Sequence, residues 1–291
     1  MNYIELRSLI RENSNLDFAA ASNNLQSVLF DISRTDVLSL ITEIGIIPED
    51  IGHDSSEEKL YTKVSDILFA KALKEMNFEV TVLRERSNCA DIIAQSKYHN
   101  YSLVGDAKAF RLSRTAKNAK DFKVDSMVHW KEDNDFSVLA CPYFQYPKSN
   151  SQIYRSALNG NVSLFSWEYL YIILSENIRE SEDVNLRELW NQSHNIMQQT
   201  NMADANKCFI QQQDANIREI IGLTEEQFNN HFNNIKGSIV YRGNEEIRYY
   251  ESEIARIQQL NREDAIRELL ISMKLDSKIE TIRRFINQVQ R

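Results

Sequence analysis

Apolar residues recur at spacings of three and four at the start of the chain. Leu6, Leu9 and Ile10 share one helical face, as do Val37, Leu40, Ile41 and Ile44. Short helices are therefore predicted within residues 1–50. A longer amphipathic helix is predicted over 54–76, with Leu60, Val64, Ile67, Leu68 and Ala72 on its stripe and Ser55 with Glu58 placed as a capping box. The pattern then changes. Residues 78–85, 90–95 and 101–108 read as strands, 120–133 as a helix, and 136–144 as a very apolar strand met by proline. A helix over 149–159, a strand over 161–166 and a helix over 167–176 complete a βαβ-like unit. Several of these strands are apolar without clean alternation, which suits a sheet covered on both faces.

All three prolines lie in the first 147 residues. Helix interiors exclude proline, so the back half is predicted to be helical. The fold class is therefore α/β, a mixed central sheet flanked by helices with a mostly helical C-terminal part. Residues 1–180 would form the core with its N-terminal helices, and 181–291 the helical region. In 245–270, Ile247, Tyr250, Ile254, Ile257 and Leu260 repeat at helical spacing. That stripe serves either packing within the subunit or dimerisation.

No run of about 18 apolar residues occurs, so no membrane span is expected. The N-terminal stretch lacks the apolar core of a signal peptide. Cys89, Cys141 and Cys208 form no CxxC pair. These features suit a reducing cytoplasm. No glycine-rich phosphate loop is present, so no nucleotide cofactor is expected.

Charge changes the picture locally. The net charge is −8, yet residues 108–123 hold six basic residues and one acid. Arg111, Arg114, Lys117, Asn118, Lys120 and Lys123 are candidates for DNA contact, because Arg and Lys reach phosphates while Asn and Arg pair with purine edges. An acid, any residue, then lysine occurs four times in the chain. Only Asp106-Ala107-Lys108 follows an apolar strand-like run. Residues two apart on a strand face the same way, so Asp106 and Lys108 project together. If 90–95 and 101–108 pair antiparallel, Asp91 reaches the same sheet end. Two close carboxylates repel unless a cation joins them, and oxygen ligation with open water positions suits Mg²⁺. A surface ion pair is the plainer alternative for Asp106 and Lys108.

The arrangement Asp91…Asp106-Ala107-Lys108 resembles the PD-(D/E)xK nuclease core. Residues 53–72, 98–124, 140–154 and 164–170 are similar to the HindIII family of type II restriction endonucleases. Ala90 stands where the general motif has proline. The resemblance implies a restriction-endonuclease-like fold and a homodimer that cuts both strands of double-stranded DNA with Mg²⁺ at AAGCTT, after the first A. It implies metal ligation by Asp91 and Asp106, with Glu58 as the helix acid, and catalysis by Lys108 with Asp121 as a further acid. Each of the last two acids has a structural alternative: Glu58 capping its own helix, Asp121 favouring a helix N-terminus. A structure-directed or repair nuclease of the same fold, and a non-enzymatic helical scaffold with a basic loop, remain as competing functions.

Overall fold

The computed structural model describes residues 1–83, 89–114 and 119–289. Three helices open the chain: α1 (Tyr3–Asn13), α2 (Phe18–Asp31) and α3 (Arg34–Ile41). Each has a polar N-cap, namely Asn2, Asp17 and Ser33. The apolar faces read from the sequence are buried, including Leu6, Ile10, Val37, Leu40 and Ile41. Helix α4 (Ser56–Glu75) follows, with the Ser55 hydroxyl accepting the Glu58 N–H.

The sheet has five strands in sequential order: β1 (Phe78–Val82), β2 (Ile92–Ser96), β3 (Ser102–Ala107), β4 (Phe136–Cys141) and β5 (Val162–Ser166). The first three pair antiparallel, and β4 and β5 join in parallel. Short helices α5 (Ala119–Phe122) and α6 (Val124–Trp130) lie in the β3–β4 connection, α7 (Gln152–Gly160) links β4 to β5, and α8 (Trp167–Ser175) follows. Alternation along the strands divides the interior. Leu103, Val138, Ala140 and Phe165 pack with α4 and α8, while Val104, Leu139 and Leu164 pack with α6 and α7.

The helix predicted over 120–133 is interrupted at Lys123, which takes a left-handed conformation with φ 51°. Phe122 and Val124 are both buried. Two residues apart on a continuous helix, they would point to nearly opposite sides. The reversal at Lys123 lets both enter one core, where Phe122 stacks on Tyr146.

The rest is helical: α9 (Gln192–Gln199), α10 (Met202–Lys207), α11 (Phe209–Ile220), α12 (Glu225–Gln258), α13 (Arg262–Ser272) and α14 (Leu275–Val289). The helix predicted over 245–270 is two helices, because the Asn261 side chain accepts the Asp264 N–H and starts a new one. The chain forms two compact units, 1–243 and 244–291. The first extends well past residue 180, since Trp190, Ile196, Phe209, Ile217 and Phe232 are buried within it. None of the described helices is long and apolar enough to cross a membrane.

Candidate active site

Gly105 sets how closely α4 approaches β3. A Cβ there would lie 2.7 Å from the Phe69 ring and 2.7 Å from Ile92, so only glycine permits this packing. The approach brings an acid of α4, Asp66, to the end of β3. One Asp66 oxygen accepts the Ala107 N–H at 3.2 Å.

Asp91 immediately precedes β2 and is fixed by its backbone. Its N–H donates to the Gly105 carbonyl at 3.0 Å, and its carbonyl accepts the Leu83 N–H at 2.8 Å. Asp106 lies within β3 and is buried. Lys108 continues the parallel ladder, donating its N–H to the Ala140 carbonyl at 2.7 Å. Its own carbonyl accepts the Trp167 indole N–H at 3.0 Å. Its ammonium rests on Asp106 Oδ2 at 2.5 Å.

Asp66, Asp91 and Asp106 each offer a carboxylate oxygen, and these oxygens lie within 4.8 Å of one another. Burial, then the charges of Asp91 and Asp106, hold the Asp66 carboxyl well above its ordinary range. Burial and the neighbouring Asp106 push Asp91 up to about 7. Burial alone would lower the Lys108 ammonium, but Asp106 and Asp66 outweigh it and leave its pKa raised. Three crowded carboxylates, two of them held toward the neutral form, make a site a cation would relieve. An all-oxygen donor set fits a hard dication.

The structure thus brings together Asp91, Asp106 and Lys108 and adds Asp66, which sequence reasoning missed. Glu58 lies outside this cluster. Its Oε1 is 2.6 Å from Arg111 Nη2, and its Oε2 accepts the Asp54 N–H at 2.7 Å. Asp66, two turns further along α4, is the acid that this helix brings to the cluster. The available signal was an acid inside the apolar run Val64-Ser65-Asp66-Ile67-Leu68, because carboxylates are rarely fully buried unless paired or ligating. Asp121 is also outside the cluster, paired with Arg114 at 2.6 Å.

The basic candidates separate by burial. Arg111 points inward, donating to the Pro48 and Ile51 carbonyls at 2.7 Å each and pairing with Glu58. These contacts anchor its segment against α4 and the turn before it. Glu49 completes the anchor by accepting the Ser113 N–H at 2.8 Å and its hydroxyl at 2.9 Å. Arg114, Lys120 and Lys123 are exposed, with the Lys123 ammonium 5.7 Å from the Trp130 ring centroid. Lys117 and Asn118 lie outside the described residues.

The sequence pattern of the HindIII restriction endonuclease family matches residues 2–286. The chain is also 40% identical over 286 residues to the type II restriction enzyme HindIII of Haemophilus influenzae, covering 98% of this chain and 95% of that protein. With a mixed sheet presenting clustered carboxylates and a lysine at one strand end, the chain belongs to the HindIII restriction endonuclease family and is a type II site-specific endonuclease acting on double-stranded DNA.

Proposed function

We propose that this enzyme, as a homodimer with Mg²⁺, hydrolyses a phosphodiester bond in each strand of the palindrome AAGCTT, after the first A. One observation carries the chemistry: three carboxylates with oxygens within 4.8 Å of one another stand beside the Lys108 ammonium. Asp66, Asp91 and Asp106 would hold the cation. When bound, it supplies positive charge that polarises a phosphate oxygen and acidifies water. Lys108, tethered to Asp106, keeps a permanent cation where negative charge develops on the phosphoryl oxygens. Asp106 and Ala107 pair in register with Leu139 and Ala140 of β4, which fixes the Lys108 backbone relative to the acids.

Arg114, Lys120 and Lys123 contact phosphates on either side of the cut, with Asp121 steadying Arg114. The specific hexanucleotide rests on similarity, 40% identity across nearly the whole chain. The test is digestion of long duplex DNA of known sequence, with mapping of both cut ends. Discrete fragments ending within AAGCTT, lost in EDTA and with Lys108→Ala, are expected. A smear, or ends mapping to another sequence, would overturn the proposed specificity.

A further inference from the structure

Asp66 is not the only charge that α4 buries near the carboxylates. Lys63, nearly one turn earlier, is also buried. Its ammonium donates to the Leu83 carbonyl at 3.0 Å. Leu83 donates its N–H to the Asp91 carbonyl, and the Asp91 N–H reaches the carbonyl of Gly105, the residue before Asp106. A run of backbone hydrogen bonds thus leads from Lys63 to two of the three acids, and α4 itself leads to the third.

Among the described residues Lys63 forms no ion pair with Asp66 or Asp91. It nevertheless holds its charge at the same end of the sheet, three residues before Asp66 on α4 and bonded to Leu83, whose N–H reaches Asp91. Lys108 is committed differently, in direct contact with Asp106. Two largely buried ammonium groups therefore stand at the sheet end that carries the three carboxylates, one on Asp106 and one on the Leu83 carbonyl. Buried and bonded to the main chain, Lys63 keeps its charge at this end of the sheet when a cation arrives. Charges in such surroundings interact far more strongly than in water.

We propose that Lys63 is a positioning residue that tunes the metal centre: it fastens the Asp91 segment to α4, and its fixed positive charge weakens metal binding by the DNA-free enzyme. The inference rests on the metal-centre reading given above. It makes metal retention depend more on anionic oxygens from the bound DNA, so that a metal-loaded site coincides with bound substrate.

The substitutions separate charge from hydrogen bond. Lys63→Gln keeps a donor for the Leu83 carbonyl and removes the charge. Lys63→Arg keeps the charge. Mn²⁺ alone is titrated calorimetrically into each full-length protein without DNA, and thermal midpoints are recorded in EDTA. Lys63→Gln is expected to bind Mn²⁺ about tenfold more tightly than the wild type and to melt at a lower temperature in EDTA, while Lys63→Arg keeps the wild-type affinity. A purely structural lysine would lower the midpoint without tightening the metal. Unchanged or weaker Mn²⁺ binding by folded Lys63→Gln would overturn the proposal and leave the metal centre standing. Wild-type Mn²⁺ binding that is absent, or indifferent to Asp66→Asn, would refute the metal centre itself and this inference with it.

Discussion

At the scale of single residues, two arginines three positions apart have opposite assignments. Arg111 is buried with Glu58 and the Pro48 and Ile51 carbonyls. Removing one partner of a buried ion pair leaves the other charge uncompensated, which costs roughly 3–5 kcal/mol. Arg111→Leu should lower unfolding free energy by about that much in a urea titration. Arg114 is half exposed and pairs with Asp121 near the surface, so Arg114→Ala should change stability by less than ~1 kcal/mol while weakening DNA binding with a reduced salt dependence. Equal stability effects for the two would contradict the division. Nothing in the sequence distinguishes these arginines, since both sit in one basic run. Only the fold reveals that Glu49 and Glu58 wait for the first. Asp91, Asp106 and Lys108 were legible because strand periodicity and an apolar run fixed their direction. Asp66 was hidden because α4 buries several of its charges, Lys63, Asp66 and Lys71, and periodicity alone cannot say which one meets a neighbouring strand.

Glu168 provides a pH test at the same scale. Burial pushes its carboxyl up to about 7 from an ordinary 4.5, even though it accepts the Tyr143 N–H at 2.8 Å. The folded state therefore holds this proton more tightly than the unfolded state. Its contribution to stability is full below about pH 4.5 and is lost as pH rises through about 7, a loss of about 3 kcal/mol at one pKa unit per 1.36 kcal/mol. Glu168→Gln, which can still accept the Tyr143 N–H, should be more stable than the wild type at pH 8 and not at pH 4.5. Parallel urea titrations at those two pH values check this. A wild-type advantage at pH 8 would show that the buried carboxylate is better satisfied than its surroundings indicate.

Among the elements, the contact of α4 with β3 governs the site. A methyl group at residue 105 has no room between Phe69 and Ile92, so Gly105→Ala must move the helix, the strand or both. Overpacking of this kind costs about 1–3 kcal/mol. The displacement separates Asp66 from Asp106, and small misplacements of reacting groups are costly in rate, so cleavage should fall roughly tenfold or more while the protein stays folded. Activity unchanged alongside the stability loss would mean the acids tolerate that shift. The elements themselves were readable wherever one period ran unbroken, as in α4 and β4. The breaks were not. Lys123 shows no helix-breaking chemistry, and its reversal exists because Phe122 and Val124 share a core. Asn261 does carry a capping signal three residues before Asp264, but the stripe of apolar residues on either side masked it.

For the whole molecule, the unit 244–291 poses the question of partners. Ile247, Tyr250, Ile254 and Ile257 of α12 are exposed, Ile254 at 56%. They recur at spacings of three and four, the stripe that pairs helices. A monomeric protein seldom leaves such a stripe uncovered, and under the proposed palindromic specificity a second copy of the chain is the occupant that symmetry calls for. Replacing Ile254 and Ile257 together by Lys should then lower the mass in sedimentation equilibrium from dimer to monomer. It should also change the products from supercoiled plasmid, since a single active site cuts one strand per encounter. Nicked circles should accumulate before linear DNA, whereas the wild type should release linear DNA directly. A variant that stays dimeric and still linearises plasmid in one encounter would place the dimer contact elsewhere in the chain.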